Sequence, residues 1–288
     1  MAILIDKNSK VLVQGITGTG GSFHAKRMKA YGTNIIGGTS PGKGGQVVDG
    51  MPVFDTVEEC VASTGADVSV IFLPAKYTKG AALESIYAGL KLVVVVPEHI
   101  PIADMMYVRK AAQERGSVVI GGNTAGIITP GQANVGIIPD IAFAQGKIGT
   151  VSRSGSLTYY VADTLTRTAY GETTCVGLGG DPVLGSTFDE ILDLFDRDNQ
   201  TKAVVLVGEI GGVYEERAAQ KVSEMSKPVI FLIGGLSAPP GKRMGHAGAI
   251  VEGNIGTAQS KVEALSKAGA HQAKTFMDIP EILKSLEI

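Results

Sequence analysis

The chain has 288 residues, 44% of them hydrophobic and 19% charged, enough for two domains of ordinary size that each bury a core. A formal net charge of −2 excludes sequence-wide attraction to nucleic acid or to an anionic membrane, so any anion must be held locally. Apolar runs all stop short of the roughly 18 residues that span a bilayer, and residues 1–10 carry no signal or transit pattern. Cys60 and Cys175 sit in apolar stretches without metal-type spacing and read as buried free thiols. A reducing, cytoplasmic compartment is expected. Glycine is the outlier at 39 copies, roughly double its usual share.

In chain order, short apolar runs alternate with helical periodicity, the signature of parallel βα units. Strands are predicted at residues 10–15, 34–38, 67–73, 91–96 and 117–120, and helices at 22–31, 57–63, 79–89 and 104–115. The run Leu92-Val93-Val94-Val95-Val96 is β-branched without alternation, as a strand buried on both faces should be. Residues 123–145, rich in Gly, Pro and Asn, read as a connector. Alternation then resumes, with strands at 147–152, 173–178, 203–208 and 228–233 and helices at 156–166, 187–196, 213–226 and 258–268. A short strand at 273–276 and a helix at 280–286 end the pattern. Two doubly wound α/β domains are expected, with no internal repeat.

The first strand runs into Gly15-Ile16-Thr17-Gly18-Thr19-Gly20-Gly21-Ser22. A glycine-rich strand-to-helix turn offers backbone N–H groups and a positive helix end to a phosphate. The spacing departs from GxGxxG, because Phe23 stands where the third glycine would fall after Gly18 and Gly20. The second strand ends Ile35-Ile36-Gly37-Gly38-Thr39, without the acidic residue that holds the ribose of NAD. A nicotinamide dehydrogenase is therefore disfavoured. Next comes Ser40-Pro41-Gly42-Lys43-Gly44-Gly45, which lacks the Ser or Thr and the following helix of a P-loop. Lys43 is expected to reach a phosphate of an adenine nucleotide.

Four histidines occur. His24 and His271 read as structural, and His99, in the loop after the fourth strand, stands near the expected ligand edge. His246 lies in Gly245-His246-Ala247-Gly248, where small neighbours leave the imidazole unshielded. A neutral imidazole can attack phosphorus and carry the phosphoryl group covalently. The dianion so formed needs helix N-termini, and the ring needs a carboxylate to orient it. Ser152-Arg153-Ser154-Gly155-Ser156 opens a helix after a strand, Gly208-Glu209-Ile210-Gly211-Gly212 puts a carboxylate at another strand end, and Gly179-Gly180-Asp181-Pro182 adds a third loop.

Together these motifs closely resemble the α subunits of succinyl-CoA synthetase (succinate–CoA ligase, ADP- or GDP-forming) over essentially the whole chain. The motif Gly245-His246-Ala247-Gly248 with the preceding Lys242-Arg243-Met244 is the most specific to that group. The resemblance implies an N-terminal Rossmann-like CoA-binding domain at residues 1–122 and a flavodoxin-like, phosphohistidine-bearing ligase domain at 123–288. It implies CoA contacts from Thr17, Gly18, Thr19, Gly20, Lys43, Val96, Pro97 and Glu98. Acyl-substrate contacts would come from Tyr159, Asn123 and Thr124, and phosphate contacts from Ser154 and Gly155. His246 would carry the phosphoryl group with Glu209 as its carboxylate partner. No metal site is implied on this chain; ATP or GTP and Mg²⁺ would belong to a partner β subunit with an ATP-grasp domain.

Two segments depart from the family's usual residues. Gly121-Gly122-Asn123-Thr124-Ala125-Gly126 replaces Gly-Pro-Asn-Cys-Pro-Gly, and Val96-Pro97-Glu98-His99 replaces Ile-Thr-Glu-Gly. Both fall where CoA and the acyl group should meet, so malate–CoA ligase, or another dicarboxylate–CoA ligase small subunit, stays open. A non-catalytic CoA-binding regulator is the reading of a different class, and it would not need Glu209 or His246.

Overall fold

The computed structural model describes residues 2–235, 245–251 and 256–288. Lys242, Arg243 and Met244 lie outside the described residues. The first half comprises β1 (Val11–Gln14), α1 (Thr19–Tyr31), β2 (Ile35–Thr39), β3 (Val47–Val48), β4 (Met51–Phe54), α2 (Val57–Thr64), β5 (Val68–Ile71), α3 (Ala75–Tyr87), β6 (Leu92–Val95), α4 (Ile102–Arg115) and β7 (Val118–Gly121). They form one sheet in the order β3-β4-β2-β1-β5-β6-β7. Apart from β3, which pairs antiparallel with β4 around an Asp49-Gly50 turn, every pairing is parallel. The parallel strands run third-second-first-fourth-fifth-sixth, which is the Rossmann order.

The second half comprises β8 (Gly126–Thr129), β9 (Ala133–Gly136), β10 (Gln145–Ser152), α5 (Gly155–Arg167), β11 (Glu172–Gly177), α6 (Phe188–Arg197), β12 (Ala203–Glu209), α7 (Tyr214–Glu224), β13 (Val229–Gly234), α8 (Ala258–Lys267), β14 (His271–Gln272) and α9 (Ile279–Ser285). Its sheet runs β14-β13-β12-β10-β11-β8-β9. The parallel strands β11-β10-β12-β13-β14 follow the flavodoxin order, second-first-third-fourth-fifth. The central strands β6 and β12 are buried at every position, because helices cover both faces of a parallel sheet. The helix α6 shows the complementary rule: Phe188, Ile191, Leu192 and Phe195 form its buried stripe, and a Thr187–Glu190 capping box opens it.

Residues 123–145 are not a plain connector. They hold the β8–β9 hairpin, which adds antiparallel to the edge of the second sheet at β11. The glycines that suggested a loop are there because the backbones nearly touch: a Cβ on Gly126 would lie 2.1 Å from the Val135 carbonyl oxygen. The hairpin also docks on the first half. Thr33 Oγ1 donates to the Asn134 carbonyl at 2.8 Å and accepts its N–H at 2.9 Å. Arg109, on α4, ties the halves elsewhere by donating to the carbonyls of Leu184 and Gly185 and pairing with Glu190.

Smaller differences have local causes. The helices α1, α3 and α4 begin two to four residues before their predicted starts, directly after Gly18, Pro74 and Pro101 in extended conformations. The strand predicted at 273–276 is instead the two-residue β14, because Thr275 and Asp278 form a capping box that turns the chain into a 3-10 turn. Both cysteines are buried and free. Among the described residues, no helix is long and apolar enough to cross a membrane.

Glu172, at the start of β11, is fully buried, and burial, partly offset by the neighbouring Thr150 hydroxyl, pushes its carboxyl up to about 8. Between the ordinary carboxylate range and that value, the folded chain keeps a proton that the unfolded chain has released. Stability therefore falls as pH rises through this window. We expect Glu172→Gln to match the unaltered chain near pH ~4 and to exceed it by on the order of 5 kcal/mol at pH ~9, read by denaturant unfolding at both values.

Candidate active site

Ligands of doubly wound sheets bind beyond the C-terminal strand ends, where strand order reverses. Here each sheet has such a point: between β1 and β5 in the first, and between β10 and β12 in the second. The first crevice is a pocket of about 390 Å³ whose lining includes Gln14, Thr17, Ser40, Lys43, Asp55 and Tyr77. Lys43 Nζ donates to Thr17 Oγ1 at 3.0 Å, and Thr17 in turn donates to Ser40 Oγ at 2.9 Å. Gly18, Thr19 and Gly20 are exposed at the α1 N-terminus, where no side chain caps the helix. Its first amides are thus open to an anion.

The close-packing glycine absent from the GxGxxG spacing is Gly21, whose Cβ would lie 2.1 Å from the Gly15 carbonyl oxygen. The acid missing from the end of β2 has a counterpart that sequence order hides. Asp55, just after β4, enters the same pocket and accepts the Gly44 N–H at 2.9 Å. Strand order, not sequence spacing, put it there.

The second crevice brings together most of the remaining candidates, all but Pro97 and Glu98. A cavity of about 180 Å³ is lined by Val96 from the first half and by Asn123, Thr124, Ser154, Tyr159 and His246. A second cavity, of about 310 Å³, is lined by Ser154, Glu209, Gly235, Gly245 and His246 among others. Ser154 and His246 border both. Ser154 caps α5, accepting the Leu157 N–H at 3.3 Å, which leaves the Gly155 and Ser156 amides of the first turn without intrahelical acceptors. Among the described residues nothing lies within 4 Å of a Cβ built on Gly155, so none of them covers that end.

His246 is held from two sides. Its Nδ1 lies 2.6 Å from Glu209 Oε2, and its ring packs so closely on the next loop that a Cβ on Gly180 would come within 2.3 Å of Cγ. The hydrogen bond to Glu209 raises the imidazole above its ordinary value, against burial and the nearby Arg153 charge, with Asp181 adding to the rise. Asp181 is itself buried, and burial moves its carboxyl upward despite the Ile100 amide beside it. Burial also raises the Tyr159 hydroxyl.

Not every candidate faces a cavity. The side chains of Glu98 and His99 are 62% and 77% exposed and pair with each other at 3.6 Å. Pro97 contributes its carbonyl, which accepts the Asn123 N–H at 2.7 Å. His24 stacks on Phe72, and His271 lies exposed on the edge strand β14. Arg153, within the Ser152–Ser156 motif, is a neighbour of Glu209 that no sequence signal singles out. Its guanidinium is buried and lies 3.1 Å from Glu209 Oε1.

A family described as CoA binding domain matches residues 6–99, and one described as CoA-ligase matches 151–271. Fold and site thus define a CoA ligase subunit built from those two modules. Its relatives include succinate–CoA ligase [ADP-forming] subunit alpha 1 of Archaeoglobus fulgidus, 53% identical over 288 residues, covering 100% of this chain and 99% of that one. The alpha subunit of Aquifex aeolicus is 50% identical over 295 residues, covering 100% and 97%. The chain belongs to the family of succinate–CoA ligase α subunits. Among solved structures, ATP citrate lyase from Methanothrix soehngenii, in complex with citrate and coenzyme A, superposes with a TM-score of 0.89 at 25% identity. That likeness covers 99% of this chain but 50% of the lyase chain, so the chain spans about half its length.

Thr124 lines the cavity, but its hydroxyl is committed to backbone: it donates to the Gly177 carbonyl and accepts the Gly126 N–H at 2.9 Å. Removing it leaves the buried Gly126 N–H and the partly buried Gly177 carbonyl without that partner. We expect Thr124→Val to lower unfolding free energy by about 1–3 kcal/mol, measured by urea titration.

Proposed function

We propose that this chain is the α subunit of an ADP-forming succinate–CoA ligase that works with an ATP-grasp β subunit through a phosphohistidine at His246. The reaction is succinate + CoA + ATP ⇌ succinyl-CoA + ADP + phosphate. Domain 1–122 binds CoA and domain 123–288 carries the phosphoryl group. The reading favours succinate over malate because the relatives above are named for it. The nucleotide and its Mg²⁺ sit on the partner. Cytoplasm is the compartment proposed, where Cys60 and Cys175 persist as buried thiols.

The observation that carries this reading is the 2.6 Å contact between His246 Nδ1 and Glu209 Oε2 beside the open α5 N-terminus. With Nδ1–H donated to Glu209, the free nucleophile is Nε2. Starting from succinyl-CoA, phosphate attacks the thioester carbonyl and the CoA thiolate leaves, giving succinyl phosphate. Nε2 then attacks phosphorus and succinate departs as its carboxylate. The positive charge formed on the ring is shared through Nδ1–H with Glu209, while the Gly155 and Ser156 amides receive the phosphoryl oxygens. The phosphoryl group finally passes to ADP on the partner. Thr17, Gly18, Thr19, Gly20 and Lys43 hold CoA phosphates, with Val96, Pro97 and Glu98 along its path. Asn123, Thr124 and Tyr159 border the acyl end.

Labelled ATP and Mg²⁺, given to the complex with its β subunit, should leave acid-labile, base-stable label on this chain. His246→Asn should abolish it and lower turnover by orders of magnitude while CoA still binds; near-normal turnover, or label on Ser154, overturns the reading. Because a neutral imidazole is needed and Glu209 holds its proton, labelling should fall in acid with a midpoint above that of free imidazole. Glu209→Gln should move the midpoint down and reduce the label. CoA, but not NAD, should raise the melting temperature of the chain, and Lys43→Ala should weaken CoA binding by about 1–3 kcal/mol.

A further inference from the structure

Behind the Glu209–His246 contact lies a row of charges almost sealed from water. Glu209 Oε1 is 3.1 Å from one terminal nitrogen of Arg153, and the other is 4.0 Å from Glu215 Oε1, on α7. Glu215 pairs through its second oxygen with Lys261, on α8, which also meets Glu216 at 3.1 Å. Arg153 is 2% exposed, and Glu215 and Lys261 are fully buried. Charges so placed are tolerated only when paired, since each would cost several kcal/mol alone.

The row is also fixed in place. Glu215 Oε1 accepts the backbone N–H of Glu209 at 3.0 Å, so the two carboxylates cannot move independently. The Arg153 guanidinium lies over the Tyr214 ring, 5.3 Å from its centroid, and Tyr214 donates to the Pro182 carbonyl at 3.1 Å. The loop that carries His246 closes on the same guanidinium, because a Cβ on Gly248 would sit 2.7 Å from its terminal nitrogen. Among the described residues, Arg153 Nε and one terminal nitrogen meet no hydrogen-bond acceptor. Ionic contact with the two carboxylates is therefore what offsets burying this cation.

We propose that Arg153 is a positioning residue, anchored through Glu215 to Lys261, that aims Glu209 at His246 and limits how strongly Glu209 holds the imidazole proton. Three carboxylates (Glu209, Glu215, Glu216) face two cations (Arg153, Lys261) in this row, so a protonated His246 completes the balance. Among the described residues, the charged groups acting on His246 are Glu209 on β12, Arg153 before α5 and Asp181 after β11. Removing a cation leaves Glu209 more basic and the ring harder to deprotonate. The relevance to catalysis rests on the proposed phosphoryl transfer; the ladder and its electrostatics do not.

The test reads the imidazole directly, by NMR titration of the histidine Cε1–H signals in the full chain, with His246 assigned by its loss in His246→Asn. Arg153→Met should raise the His246 midpoint by about one pH unit, and Arg153→Lys, which restores the charge, should bring it back. Lys261→Met should act in the same direction with a smaller shift, and it decides the matter if Arg153→Met does not fold. Circular dichroism establishes folding of each variant. A midpoint within error of the unaltered chain in a folded charge-removed variant overturns the proposal. If the midpoints move as expected but no label reaches His246 from ATP, the ladder stands and the functional reading falls.

Discussion

The Glu209 carboxylate is the constraint on which the second crevice depends. It is a buried acid at the last residue of β12, and it is tolerated because Arg153 takes one oxygen and His246 the other. Each partner arrives from a different part of the chain. Arg153 follows β10, the neighbouring strand, and His246 comes from a loop nearly forty residues downstream, Nδ1 to Glu209. The charge fixes the tautomer of the ring, with the proton on Nδ1 and the lone pair on Nε2.

Space for that arrangement is made by glycine. Gly180 lets the imidazole rest on the loop after β11, and Gly248 lets the His246 loop lie against the guanidinium. At both positions any side chain would enter the volume that a functional group occupies. The abundance of glycine in this protein thus has a positional meaning at the site, and the same holds where Gly21 lets α1 approach the β1 turn.

The two halves share a construction but differ in what they present. Each places a helix N-terminus at a strand-order reversal, α1 in the first and α5 in the second. The first presents exposed amides beside Lys43 and Thr17, suited to a phosphorylated ligand that comes and goes. The second presents its amides beside a histidine held by buried charge. Val96 reaches from the first half into the cavity of the second, so the two sites meet across the interface that Arg109 and the β8–β9 hairpin hold together.

The sequence by itself determined the alternating βα units, the all-apolar strands such as Leu92–Val95, the glycine-rich turn at Thr17–Gly20 and the pairing of Glu209 with His246. These are local signals: β-branched runs, a break in periodicity, a histidine among small residues. Tertiary structure alone decided the rest. Residues 126–136 became a hairpin because a sheet edge was there to receive it, and their glycines look like a loop until that edge is known. Asp55 reached the first pocket, and Thr124 spent its hydroxyl on Gly177, through contacts between segments 11 and 53 residues apart. The ladder from Glu209 through Arg153 and Glu215 to Lys261 joins three separate elements and the loop before α5. No periodicity or motif encodes such a ladder, because a buried charge is specified by its neighbours in space and not by those along the chain.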